Sequence, residues 1–147
     1  MIRINRPREE VYRFWRNFEN FPKVMGHIES VVHIDDNSSH WVASPVRGMK
    51  LQWDAVTIEE RENETLSWRS LPDSTVYNEG SIYFKNAPSG WGTELEISIK
   101  YRVPGGTVGA AAASLLNGIT RQQIEKDLQQ AKRFLEAGEV VEVAARR

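Results

Sequence analysis

One long stretch, from Thr107 to Gly138, has the period of an amphipathic α-helix. Many of its apolar residues are three, four or seven positions apart, which places them along one face: Leu116, Ile119, Ile124, Leu128, Ala131, Phe134 and Leu135. From Arg121 to Glu136, charged and amide side chains fill the other positions, with i,i+4 pairs such as Glu125 and Gln129. Because a helix with one apolar stripe needs a partner that buries the stripe, this segment limits the folds that the chain can adopt. A break is expected at Asn117-Gly118, since glycine inside a helix costs about 1 kcal/mol relative to alanine.

Most of the chain before this helix has the alternation of polar and apolar residues that is typical of β-strands. A short strand at Ile2 to Ile4 and two short helices come first, followed by six strands joined by turns. The predicted segments are the helices 7–18 and 23–25 and the strands 28–34, 40–46, 49–60, 65–70, 75–85 and 94–103. In the strand that starts at Ile28, the alternation places Val32 and Ile34 on the same face as Ile28.

Short turns between successive strands indicate an antiparallel meander, because parallel neighbours need long crossover connections. We therefore predict an α+β fold in which a curved antiparallel sheet of about six to seven strands wraps around the long C-terminal helix. At 147 residues and 40% hydrophobic content, the chain fits one domain covering residues 1–147. The space between helix and sheet is the natural place for a ligand.

Composition excludes several classes of function. The net charge is −1, which argues against a nucleic-acid partner. The chain has no cysteine, so disulfides and thiolate metal sites are excluded. No apolar run approaches the roughly 20 residues of a membrane helix, so we expect no integral membrane segment and a cytoplasmic location.

The residues that usually carry acid–base or metal chemistry form no compact motif. The three histidines, His27, His33 and His40, are predicted at surface or edge positions. The serines stand outside any Gly-x-Ser-x-Gly elbow, and the segment Gly105 to Gly109 lacks the Lys-Ser/Thr ending of a phosphate loop. We therefore assign no metal, no cofactor and no catalytic residue.

The predicted site consists of polar and large apolar residues on strand faces that otherwise point inward. Asn78 and Tyr101 lie among apolar neighbours, where a buried amide or phenol needs a hydrogen-bond partner that a ligand can supply. The complete predicted ligand-binding set is Met49, Trp53, Trp68, Asn78, Phe84, Tyr101 and Leu116. The alternative is that these residues are ordinary core, with the polar groups bonded to nearby backbone. Gly80 is compatible both with neutral packing and with making room beside a bulky ring.

Several local motifs resemble a known family. They are Pro7-x3-Val11-Tyr12-x2-Trp15, Trp68-Arg69-Ser70, Gly80-x3-Phe84, Tyr101-x2-Pro104-Gly105-Gly106 and Asp127-Leu128-x3-Lys132-x3-Glu136. With the order of elements, they resemble the helix-grip fold of the START and Bet v 1-like (SRPBCC) superfamily, and in particular its polyketide cyclase/dehydrase and lipid-transport branch. The resemblance implies a shared cavity with many different ligands, since relatives cyclise polyketides or carry lipids or quinones.

Three functional hypotheses follow. The first is a non-catalytic binding or transport protein for a small hydrophobic molecule such as a lipid, a quinone or a polyketide-like compound. The second is a cyclase or dehydratase that acts on a polyketide-like substrate in the same cavity. The third is an interaction module that forms a homodimer through a sheet edge or helix.

Overall fold

A computed structural model of the chain describes residues 2–44, 50–74, 76–88, 90–102 and 122–137. Strand β1 (Ile2–Ile4) is followed by helix α1 (Arg8–Arg16), one turn of 3-10 helix (Phe18–Asn20) and helix α2 (Phe21–Val24). Six further strands are β2 (Ile28–His33), β3 (Ser38–Ala43), β4 (Leu51–Arg61), β5 (Thr65–Ser70), β6 (Tyr77–Asn86) and β7 (Thr93–Arg102). Residues 122–137 are helical and are called α3.

The seven strands form one antiparallel sheet in the order β1-β7-β6-β5-β4-β3-β2. From β2 to β7 each strand pairs with its neighbour in sequence, which is the predicted meander. The first strand then closes the far edge by pairing with β7. The predicted α+β fold is thus confirmed, whereas the expected helix break at Asn117-Gly118 lies outside the described residues.

The tight turn between β6 and β7 depends on glycine. Gly92 has a φ of 92°, a conformation that side chains with a Cβ adopt only rarely. A Cβ at this position would also lie 2.8 Å from the carbonyl oxygen of Ile4. Gly92 therefore allows the hairpin to lie directly against β1.

The facing of β2 differs from the prediction. Val31 is buried, whereas Val32 and Ile34 are 56% and 57% exposed. The pairing of β2 with β3 shifts register between Ile28 and Ser30, as at a β-bulge. Because one extra residue exchanges the two faces of a strand, the predicted inward positions of Val32 and Ile34 are wrong.

Aromatic rings fill the interior beneath the two short helices. The indole of Trp41 lies between those of Trp53 and Trp68, with centroid distances of 5.9 and 5.5 Å and interplanar angles of 16°. The rings of Phe18 and Phe21 both pack against those of Trp41 and Trp68, with centroid distances of 5.2 to 5.6 Å. This half of the interior is therefore closely packed core.

Helix α3 buries Leu128, Ala131 and Leu135 against the rest of the protein. Phe134, which the helical period places on the apolar stripe, lies at its border: it packs on Phe14 at 5.4 Å but remains 43% exposed. Of the predicted stripe, Leu116 and Ile119 are outside the described residues.

Two side chains of α3 also cover the backbone at β1. The ammonium of Lys132 donates to the carbonyl oxygen of Arg3 at 2.7 Å, and Oε2 of Glu136 accepts from the backbone N–H of Asn5 at 2.8 Å. Lys132 and Glu136 pair with each other at 2.8 Å. Unpaired backbone groups at a sheet edge are a liability, and these contacts satisfy two of them.

Candidate functional site

The structure describes the side chains of four of the seven predicted ligand-binding residues. Trp53, Trp68, Asn78 and Phe84 all point inward and are at most 3% exposed. The backbone of Tyr101 lies in β7 directly opposite Asn78, but its side chain, like Met49 and Leu116, is outside the described part of the chain.

Asn78 is held by three neighbouring strand residues. Its Oδ1 accepts a hydrogen bond from the indole N–H of Trp68 at 3.0 Å, and its Nδ2 donates to the carbonyl oxygen of Lys100 at 3.2 Å. Its backbone N–H donates to Oγ of Ser70 at 3.0 Å. Since a carboxamide has two donor hydrogens and two acceptor lone pairs, these bonds use half of the side chain's capacity and fix its orientation.

Trp68 lies flat against β6, over Gly80. The two residues are partners in the β5–β6 register, and a Cβ on Gly80 would fall 2.1 Å from Cζ2 of the indole. Of the two interpretations of Gly80, the structure thus supports the one in which glycine makes room for a bulky ring.

Phe84 packs edge-to-face on Tyr12 of α1, with ring centroids 5.2 Å apart. Burial raises the pKa of the Tyr12 phenol, and the nearby carboxylate of Glu60 raises it further, against a smaller opposite effect of Arg16. Tyr12 therefore remains a neutral phenol at physiological pH and joins α1 to the floor of the sheet.

A second group of inward-facing residues is aliphatic and only partly buried. On β7, Leu95 is fully buried, but Ile97 and Ile99 on the same face retain accessible surface. Leu51 on β4 and Ile124 on α3 are likewise packed against the core and partly buried. The alternation in β7 predicts which residues face inward, but it carries no information on how completely each of them is buried.

One buried ionisable pair joins α3 to the junction of α2 and β2. His27 is 6% exposed, and its Nδ1 lies 3.6 Å from Oδ2 of the buried Asp127. Oδ1 of Asp127 accepts from the backbone N–H of Gly26 at 3.3 Å and from Nε2 of Gln123 at 2.8 Å. The predicted surface position of His27 is therefore wrong, because the contact depends on a helix about one hundred residues away in sequence.

The other two histidines lie at the surface, as predicted. His33 is exposed, and its Nε2 lies 3.1 Å from Oδ1 of Asn17. His40 is partly exposed on the outer face of the sheet, with its Nδ1 2.7 Å from Oδ1 of Asp54. Within the described ranges, no group of three His, Asp or Glu side chains is arranged to hold a metal ion.

The interior offers little acid–base chemistry. Apart from Tyr12, His27 and Asp127 are the only ionisable side chains that are buried in the described residues. Two grooves among these residues are on the surface: one of about 660 Å³ is lined by Ile2, Leu128 and polar side chains of α3, and one of about 690 Å³ by mostly charged residues beside Arg16. The described helices include none with the length and apolar character needed to cross a membrane.

A protein-family model and a known protein are similar to most of this chain. Residues 4–133 match the family model described as polyketide cyclase/dehydrase and lipid transport. An uncharacterized 17.2 kDa protein of Streptomyces lincolnensis is 25% identical over 135 residues, which cover 92% of this chain and 86% of that protein.

Solved structures extend the comparison. A protein of Deinococcus radiodurans is 30% identical, with 93% of this chain and 94% of the other covered and a TM-score of 0.75. The Zhui aromatase/cyclase of a Streptomyces species shares the fold, with a TM-score of 0.74, 13% identity, and coverage of 92% of this chain and 90% of that one.

Proposed function

The chain belongs to the polyketide cyclase/dehydrase and lipid transport family, and we propose that it binds or transports a small hydrophobic molecule held between α3 and the sheet. The proposed ligand is a lipid, a quinone or a polyketide-like compound. The observation that carries the proposal is a set of inward-facing aliphatic side chains that are only partly buried, namely Leu51, Ile97, Ile99 and Ile124.

Burial of apolar surface supplies the affinity in this proposal. Each Å² of apolar surface that leaves water contributes about 25 cal/mol, and the ligand and the four aliphatic side chains both contribute such surface. Pockets of this kind are lined mainly by apolar side chains, with a few polar groups that orient the ligand. The described interior has this character.

The predicted ligand-binding residues take two roles in the proposal. Trp53, Trp68, Asn78 and Phe84 form the wall behind the aliphatic side chains, since almost none of their surface is accessible. The hydrogen bonds of Asn78 to Trp68 and to the Lys100 carbonyl hold this wall in place. Met49, Tyr101 and Leu116 remain proposed contacts.

A cyclase or dehydratase is the alternative, and the described geometry supports it less well. Such a reaction needs a proton-transfer group beside the substrate. Oδ1 of Asp127 on α3 already accepts hydrogen bonds from Gly26 and Gln123. The Tyr12 ring packs on Phe84. Binding without turnover is therefore the simpler function.

Native mass spectrometry of protein purified from its own host tests the proposal. We expect one hydrophobic molecule per chain, identified by extraction under denaturing conditions. Incubating that molecule with the protein and analysing the products then separates a carrier from an enzyme, since a carrier returns the compound unchanged. Protein that is consistently empty and takes up no added lipid, quinone or polyketide would contradict the proposal.

A further inference from the structure

The indole of Trp68 occupies the place that a side chain at position 80 would need. A Cβ built on Gly80 lies 2.1, 2.5 and 2.6 Å from Cζ2, Cη2 and Cε2 of the indole. All three contacts are shorter than van der Waals distances between carbon atoms, which are about 3.5 to 4.0 Å. Any residue other than glycine at this position therefore displaces the ring.

The ring has little freedom to move toward the aromatic side of the interior. Its centroid lies 5.3 Å from that of Phe21 and 5.5 Å from those of Phe18 and Trp41. Protein interiors are packed as densely as organic crystals, so these rings yield only with strain. The hydrogen bond from the indole N–H to Asn78 fixes the remaining edge of the ring.

On the other side of Gly80, the neighbouring residue across the sheet is only partly buried. Gly80 pairs with Ile99 across β6 and β7, so Trp68, Gly80 and Ile99 follow one another in a row across three strands. Trp68 is fully buried, but Ile99 retains accessible surface. The edge of the indole over Gly80 thus borders the part of the interior where the ligand is proposed to lie.

We propose that Gly80 is a positioning residue that keeps the Trp68 indole flat against the sheet and thereby sets the bulk of the ligand that the protein accepts. This inference rests on the proposed function. A larger residue at position 80 raises the indole from the sheet into the space beside Ile99. The ligands affected most are those that fill this space.

The test compares binding of two fluorescent probes, the slim chain of cis-parinaric acid and the bulkier 1-anilinonaphthalene-8-sulfonate, to delipidated protein. The variants are Gly80→Ala, Trp68→Leu and the double variant, with Ser81→Ala as a matched control because Ser81 is the next residue of β6 on the opposite face. We expect Gly80→Ala to weaken binding of the bulky probe at least about tenfold and that of parinaric acid less. In the Trp68→Leu background, where the ring is absent, the same alanine should have almost no effect.

Equal loss of affinity in both backgrounds, or none in either, would overturn the inference. If Gly80→Ala does not fold, Trp68→Leu and the double variant decide the question, since the inference requires both to fold and to bind alike. A readout without ligand separates this inference from the proposed function. Hydrogen exchange of the Trp68 indole N–H should accelerate in Gly80→Ala and stay slow in Ser81→Ala, even if the wild-type protein binds neither probe.

Discussion

The indole N–H of Trp68 donates a hydrogen bond to Oδ1 of Asn78 across β5 and β6, at 3.0 Å and shielded from solvent. Two residues that the sequence singles out as candidate ligand contacts are thus bonded to each other. This hydrogen bond holds the two buried side chains in place, and its loss should lower the free energy of unfolding.

Asn78→Ala is expected to lower the free energy of unfolding by about 1 to 3 kcal/mol, because it leaves a buried indole N–H without an acceptor. Urea denaturation measures the change. Asn86→Ala is the matched control, since Asn86 is exposed at the end of the same strand. Equal stability of the two variants would show that the Trp68–Asn78 bond contributes nothing to the fold.

Asp127→Ala is expected to destabilise the protein by about 1 to 3 kcal/mol, because it removes the buried carboxylate oxygen that accepts from the Gly26 N–H and from Nε2 of Gln123. The variant removes the acceptor of the Gly26 N–H and leaves His27 without its carboxylate. Asp127→Asn should be less harmful because its carboxamide oxygen can still accept from the Gly26 N–H and from Nε2 of Gln123. Thermal unfolding measures the stability of both variants, with Glu125→Ala as the control because Glu125 is exposed on α3. We expect the unfolding temperature to be lowest for Asp127→Ala. If Asp127→Ala and Glu125→Ala unfold at the same temperature, the contacts of Asp127 do not stabilise the fold.

Glu136 gives a stability contribution that depends on pH. Partial burial raises the pKa of its carboxyl, but the hydrogen bonds from Lys132 and the Asn5 N–H outweigh burial and lower the pKa below its ordinary value of 4.5. A carboxyl with a lowered pKa in the folded state stabilises the protein fully above pH 4.5 and loses this effect as the pH falls through the folded-state pKa.

Glu136→Gln should therefore be less stable than wild type at pH 7, and the difference should shrink below pH 4.5. Because the side chain is still partly open to solvent, we expect a difference of no more than about 1 kcal/mol. Urea denaturation across this pH range measures it, with Glu96→Gln on the exposed face of β7 as the control. A difference that is the same at every pH would contradict the assignment to Glu136.

Ile99→Trp should fill the proposed ligand space and weaken binding of cis-parinaric acid by at least about tenfold. Ser98→Trp, one residue away on the exposed face of β7, should bind the probe as wild type does. Fluorescence titration of both variants measures the effect. If the two variants bind equally well, the ligand does not lie against this part of β7.

The fold could be predicted from the sequence because its signals are local. The strand Thr65–Ser70 has the predicted ends, and the alternation in β6 places Asn78, Gly80 and Ile82 inward, as predicted. Where the backbone departs from regular pairing, alternation fails. The bulge after Ile28 reversed the expected facing of Val32 and Ile34.

The candidate site could be predicted only in part, because its properties depend on contacts between distant segments. His27 is buried by Asp127 on α3, which no local pattern near His27 indicates. The role of Gly80 becomes clear only when the position of the Trp68 indole is known. Similarly, periodicity predicts that Ile97 and Ile99 face inward, but the extent of their burial depends on tertiary packing that no local pattern indicates.

The most direct test of the proposed binding site is a methyl NMR titration of protein labelled at the isoleucine δ1 methyl groups, using the molecule extracted from the native protein or, if none is found, cis-parinaric acid. The account predicts intermolecular contacts and large shift changes at Ile97, Ile99 and Ile124, with little change at the exposed Ile34 and Ile58. Changes confined to Ile34 and Ile58, or no changes at a saturating concentration, would contradict a hydrophobic ligand held between α3 and the sheet.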